Sequence, residues 1–155
     1  RNAVVEVWQV DGNGAYLHSA DRGADRNAQR DKNFQGYGRF LTDSTGAYYF
    51  RTIKPVPYPG RTPHIHVAVS QNGQRVLTTQ LFVAGHPQNA RDGVLRSVGD
   101  EAQRKLVMGD FHKIAGSPLD EYEVEFNLVL GRTPAEGDDG KFPGVIAETR
   151  GRRRG

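Results

Sequence analysis

The sequence predicts an all-β fold, a β-sandwich of the immunoglobulin or prealbumin type with long loops and at most one short helix. Three observations carry that expectation. Short runs rich in β-branched and aromatic residues recur along the chain, clusters of Gly, Asn and Asp punctuate them, and only one stretch has helix-forming composition. A length of 155 residues suits one domain, large enough to bury about 70% of its unfolded surface.

Residues 3–10 are rich in β-branched side chains and partly alternate, which reads as a strand. Asp11-Gly12-Asn13-Gly14 is a turn, because Gly and Asn accept positive φ, and Tyr16 follows closely. Residues 18–35 are polar with few apolar anchors and form a long loop, of a length usually reserved for function or disorder. Residues 38–42 form a short strand, Asp43-Ser44-Thr45-Gly46 a turn, and residues 47–53 a second strand with Tyr48, Phe50 and Thr52 on one face. A strand over 64–70 is turned by Gln71-Asn72-Gly73-Gln74. It returns over 75–83 with Leu77, Thr79, Leu81 and Val83 on one side and Thr78, Gln80 and Phe82 on the other. Residues 84–119 break the β pattern, and 100–108, with helix formers and acids in the first turn, are the one helix expected. Residues 121–130 alternate apolar and polar as a last strand. The division is therefore a sandwich domain over 1–131 and an irregular C-terminal extension over 132–155. That extension has little to bury and ends in a basic tail that wraps a neighbour or stays loose.

No run of about 18 apolar residues occurs, so no membrane span is expected. Cysteine is absent, which excludes disulfides and thiolate ligands; any metal must be held by His, Tyr or carboxylate. The chain begins at Arg1 and enters a strand-like run almost at once. Two compartments stay open: cytoplasmic or, with an export signal removed, periplasmic or secreted. The net charge is +3, but Arg150, Arg152, Arg153 and Arg154 supply four positive charges, and removing them leaves −1. The body is not a basic domain, so neither nucleic acid nor membrane is an expected partner.

The chemistry gathers in Pro55-Val56-Pro57-Tyr58-Pro59-Gly60-Arg61-Thr62-Pro63-His64-Ile65-His66. Proline fixes φ and pushes the residue before it to extended geometry, so Val56, Tyr58 and Thr62 are held extended. Strand alternation points His64 and His66 to one face, half of a metal site. Zinc would want a further His, Cys or carboxylate nearby, and Val67-Ala68-Val69-Ser70-Gln71-Asn72 holds none. The remaining donors are tyrosines, with Tyr16 after the glycine turn and Tyr58 in the proline frame. A phenolate is a hard anionic ligand that suits ferric iron better than zinc or copper, although the residues alone leave all three open.

Several motifs, in order, carry a resemblance that covers most of residues 3–130. They are Val5-Glu6-Val7-Trp8-Gln9 with Tyr16, Phe34-Gln35-Gly36-Tyr37-Gly38-Arg39, Leu41-Thr42-Asp43-Ser44 and Phe50-Arg51-Thr52-Ile53-Lys54-Pro55. Pro57-Tyr58-Pro59, Arg61-Thr62-Pro63-His64-Ile65-His66 and Thr79-Gln80-Leu81-Phe82 complete the set. The chain resembles the intradiol ring-cleavage dioxygenases, and among them the iron-binding chains of the protocatechuate type. The resemblance implies a non-haem Fe(III) held by Tyr16, Tyr58, His64 and His66 with a solvent hydroxide. Tyr16 and His64 would be equatorial, Tyr58 and His66 axial. It implies a catechol-type substrate bound as a dianion, O2 as co-substrate, and cleavage between the hydroxylated carbons to a cis,cis-muconate type diacid without external reductant. The implied catalytic residues are Tyr58, which can take a substrate proton, Arg61, a fixed positive charge near the reacting ring, and Gln80 beside substrate or hydroxide.

Against the family pattern, a longer insert between Pro59 and Arg61 is reduced to Gly60, which implies a more open pocket and leaves the particular catechol unspecified. The resemblance also leaves room for a homo-oligomer or a related second chain. Two other readings compete with it: a catalytically silent β-sandwich binding module, and a zinc or copper hydrolase on the same residues.

Overall fold

The computed structural model describes residues 2–14 and 31–143. Its strands are β1 (Val4–Trp8), β2 (Tyr37–Leu41), β3 (His64–Gln71), β4 (Gln74–Val83), β5 (Met108–Gly109), β6 (His112–Lys113) and β7 (Tyr122–Glu123). The first five form one sheet in the order β2-β1-β3-β4-β5, antiparallel except for the parallel pairing of β4 with β5, and β6 pairs with β7. Mostly sheet with few helices, the architecture agrees with the expected class at that level.

The register explains why one sheet has two different faces. Val67 lies opposite Val7 and Thr79, and Val69 opposite Val5 and Leu77. Residues directly opposite share a face, so Val5, Ile65, Val67, Val69, Leu77 and Leu81 pool into one apolar core. Tyr48, Phe50, Phe111, Val124, Phe126 and Leu128 pack over it. The other face carries Trp8, His66 and Gln80 in one row across three strands. Beside that row lies a second core of Phe82, Leu95, Val98, Val107 and Phe142.

Two expected strands lack ladder partners wholly or over most of their length among the described residues. Over 47–53, Tyr48 and Phe50 are packed on the core as their alternation indicates, yet no strand is formed. Asp43 builds a tight turn by accepting from Thr45 and Ala47 N–H, and the chain then lies over the apolar face. Of 121–130 only β7 is laddered, while Val124, Phe126 and Leu128 pack and Phe126 carbonyl accepts from Tyr48 hydroxyl. Apolar alternation reports which side is buried; it does not supply a neighbouring edge.

The limit of one short helix is exceeded. A 3-10 turn (Pro87–Arg91) leads into α1 (Gly93–Ser97) and then α2 (Glu101–Lys105). The expected helix is α2, with Asp100 capping it at Gln103 N–H and Glu101 in its first turn. α1 arises because Asp92 caps it, accepting from Leu95 N–H at 2.8 Å, and because Leu95 is buried in the second core. After Gly131 the chain is irregular, but as far as residue 143 it packs on its own body instead of standing loose. Thr133 and Phe142 are buried, Glu136 N–H donates to Thr78 carbonyl at 2.8 Å, and Phe142 N–H donates to Ser97 Oγ at 3.0 Å. The basic run 150–154 lies outside the described residues.

Candidate metal centre

Tyr58-Pro59-Gly60-Arg61 is a tight turn: Arg61 N–H donates to Tyr58 carbonyl at 2.9 Å, Pro59 presets φ, and Gly60 adopts φ 80°. Pro followed by a positive-φ glycine is the type II pattern. It sets Tyr58 and Arg61 side by side at the entrance to β3. The turn after β1 meets it there. Gly14, at φ 79°, comes so close that an added Cβ would stand 3.1 Å from Tyr58 Cβ.

His64 Nε2 lies 3.3 Å from His66 Nε2 and 3.4 Å from Tyr58 Oη. His64 Nδ1 donates to Thr62 carbonyl at 2.8 Å, which leaves the Nε2 lone pair facing the other two donors. Burial pushes His64 down to about 4 and His66 down to about 3, with the Arg61 charge adding to both and His64 adding to His66. Both imidazoles are therefore neutral near pH 7, the form a metal requires. His66 is held from the side by Trp8, whose ring stacks on it at 5.0 Å and 1° between planes.

These residues fit a metal ion. Two ligands about 2.1 Å from one ion and at roughly right angles lie about 3 Å apart, close to both observed separations. Among the described residues no group of three or more His, Cys, Asp or Glu could hold a metal. The donor set is instead two imidazoles with a phenol oxygen, a hard, potentially anionic donor of the kind ferric iron favours. Tyr16, the fourth expected ligand, lies outside the described residues.

Arg61 and Gln80 are also brought to this place. Arg61 Nε donates to Asp92 Oδ2 at 2.9 Å and its Nη2 donates to Gln80 Oε1 at 2.6 Å. Gln80, 1% exposed and opposite His66 in the ladder, donates from Nε2 to Glu136 Oε2 at 2.6 Å. Glu136 Oε2 stands 4.0 Å from His66 Nδ1, and burial raises its carboxyl above the usual carboxylate range. Burial also pushes the Asp92 carboxyl up. N–H groups of Leu95 and Thr62 and the Arg61 guanidinium outweigh that and hold it below the usual range.

Asp92, Glu136 and Trp8 were not expected as site residues. Asp92 had a readable signal, an Asp ahead of Gly93-Val94-Leu95 that marks a helix start. Glu136 had none, since it lies in a Gly- and Pro-rich segment. A cavity of about 290 Å³ opens beside β1 and β2 between Trp8, Phe34, Tyr37 and Phe50, and none of Tyr58, His64 or His66 lines it.

The family model described as "Dioxygenase" matches residues 1–132. The chain is 39% identical over 116 residues to the protocatechuate 3,4-dioxygenase beta chain of Burkholderia cepacia, covering 69% of this chain and 48% of that protein. It is 28% identical over 151 residues to catechol 1,2-dioxygenase of Candida albicans, covering 83% and 46%. Among solved structures it resembles the dioxygenase domain of a dioxygenase–carbohydrate-binding fusion from Streptomyces sp. SirexAA-E. That match has a TM-score of 0.60 and 31% identity, over 83% of this chain and 68% of that one. The chain spans about half the length of the two curated relatives. With a family model matched over nearly the whole described body, and relatives named as intradiol-type dioxygenases, the chain belongs to the intradiol dioxygenase family.

Proposed function

We propose that the protein is a non-haem Fe(III) intradiol dioxygenase. It inserts both atoms of O2 into a catechol-type diol and cleaves the ring between the hydroxylated carbons to a cis,cis-muconate type diacid. The observation that carries this reading is the approach of Tyr58 Oη, His64 Nε2 and His66 Nε2 at 3.3–3.4 Å, with an anchored guanidinium beside them. Tyr58, His64 and His66 would hold the iron, with Tyr16 as the fourth ligand. Gly14, two residues before Tyr16, lies against Tyr58, which supports that assignment.

When bound, ferric iron supplies Lewis acidity toward a catecholate and draws electron density from its ring. The chain's own groups do the rest. Tyr58 Oη is the oxygen placed to take a proton from the arriving diol. Arg61 supplies a fixed positive charge near the site, and its two anchors, Asp92 and Gln80, keep the guanidinium from following the substrate out. Trp8 keeps the His66 ring in plane. The Tyr58–Arg61 turn is closed by a single backbone bond with only Pro59 and Gly60 between, and so short a wall would favour a panel of catechols over one tightly walled substrate. The finer architecture, a sandwich of the immunoglobulin or prealbumin type, belongs to the same proposal. Its support is the layer of Tyr48, Phe50, Val124, Phe126 and Leu128 over the apolar face.

The test is oxygen uptake with a panel of substituted catechols under air, without reductant, with iron quantified in the same sample. One O2 consumed per ring-opened diacid is expected. Stoichiometric iron without uptake on any catechol would contradict the proposal.

A further inference from the structure

Glu136 would touch neither iron nor substrate, yet it closes the polar chain behind them. Its backbone N–H bond to Thr78 carbonyl sets it beside β4, two positions from Gln80. There its Oε2 accepts from Gln80 Nε2 at 2.6 Å, while Arg61 Nη2 donates to Gln80 Oε1 at 2.6 Å. The two ends of a glutamine amide are nearly the same shape, so contacts alone decide which way it points. A carboxylate only accepts and a guanidinium only donates. One orientation of Gln80 satisfies both neighbours; the flipped one sets NH2 against guanidinium and oxygen against carboxylate in a place that is 1% exposed.

We propose that Glu136 is a positioning residue: it locks the Gln80 amide in one orientation and thereby fixes the guanidinium of Arg61 beside the histidines. Asp92 alone holds Arg61 at Nε and leaves the guanidinium free to swing about that contact; the bond at Nη2 sets its plane. The consequence for turnover rests on the function proposed above, whereas the lock itself does not.

Two substitutions separate acceptor from charge. Glu136→Leu removes the acceptor, while Glu136→Gln keeps an oxygen that can accept from Gln80 Nε2. In metal-free protein, 15N NMR of the Gln80 side-chain amide, assigned by its loss in Gln80→Leu, should show one protected pair of signals in wild type and Glu136→Gln. In Glu136→Leu we expect a second or broadened set with protection reduced about tenfold or more. In iron-loaded enzyme with catechol, kcat should fall about tenfold in Glu136→Leu with KM within about twofold, and stay within about twofold in Glu136→Gln. The exchanged pair keeps a donor facing an acceptor at each contact, and it covers a Glu136→Leu protein that does not fold. Gln80→Glu alone opposes two carboxylates and should lower the melting temperature of the metal-free protein, and adding Glu136→Gln should restore it to within about 3 °C of wild type. A single protected Gln80 amide in Glu136→Leu, equal losses in Glu136→Leu and Glu136→Gln, or no recovery of melting temperature in the exchanged pair would overturn the proposal. If wild-type protein takes up no O2 with any catechol, it is the proposed function that fails, and the amide signals of the metal-free protein still decide the lock.

Discussion

The two faces of the central sheet are built from the same strands and do opposite things. On one, Val5, Ile65, Val67, Val69, Leu77 and Leu81 meet the overlying aromatic and aliphatic side chains in apolar packing, which tolerates exchange for side chains of similar size better than specified polar pairs do. On the other, Trp8, His66 and Gln80 stand in one row, and each has a specified partner: a stacked ring, a facing imidazole nitrogen, a guanidinium and a carboxylate. A shift of one residue in the register of β3 would move His64 and His66 into the apolar core and Ile65 and Val67 into the site. The apolar face therefore supplies more than stability, because it fixes the register on which the approach of Tyr58, His64 and His66 depends.

That contrast can be broken from either side, and the largest effect belongs to the site face. His66→Ala should lower turnover by more than about 1,000-fold, or about 4 kcal/mol of barrier, and leave iron below stoichiometry by elemental analysis. Its melting temperature in the metal-free state should change little. Leu81→Ala, on the apolar face, should do the reverse. A loss of about 3 kcal/mol in chemical denaturation is expected, with iron per folded chain unchanged. If Leu81→Ala instead loses iron while keeping its stability, the division of labour is wrong.

A pH effect of somewhat smaller size tests the same layer. Burial pushes the Tyr48 hydroxyl up to about 12 from an ordinary value near 10. The unfolded chain ionises first, so this group's contribution is fully present below pH 10 and is lost as the pH rises toward about 12. The loss amounts to roughly 2 kcal/mol. Urea denaturation at pH 9 and pH 11.5 should show that extra loss in wild type and not in Tyr48→Phe; equal losses in the two proteins would remove Tyr48 from the account. The smallest effect is expected of Gly14→Ala. Its positive φ and the 3.1 Å approach of its added Cβ to Tyr58 should cost about 1 kcal/mol. The same change should displace Tyr58 enough to alter the visible spectrum of the iron-loaded protein.

Much of this was legible in the chain. β1, β3 and β4 follow directly from β-branched alternation, and the pairing of β3 with β4 follows from the Asn72-Gly73 turn, where both residues take positive φ. Tyr58, Arg61, His64 and His66 are neighbours in sequence, and Gln80 comes opposite His66 as soon as the hairpin closes. What was not legible depends on contacts distant in sequence. Asp92 reaches Arg61 across 31 residues and Glu136 reaches Gln80 across 56, and neither partner can be read from composition. The segments over 47–53 and 124–128 alternate like strands yet form no ladder, for a related reason. Their alternation records the buried side, while pairing depends on which edge the rest of the fold leaves open.

The most direct test of the central claim, that the polar face holds ferric iron through a tyrosinate, is the visible spectrum during titration of Fe(III) into metal-free protein. A tyrosinate-to-iron charge-transfer band that saturates at one iron per chain, weakens in Tyr58→Phe and is absent in His66→Ala is the predicted result. A wild-type protein that binds iron without such a band, or a band unchanged in Tyr58→Phe, would contradict it.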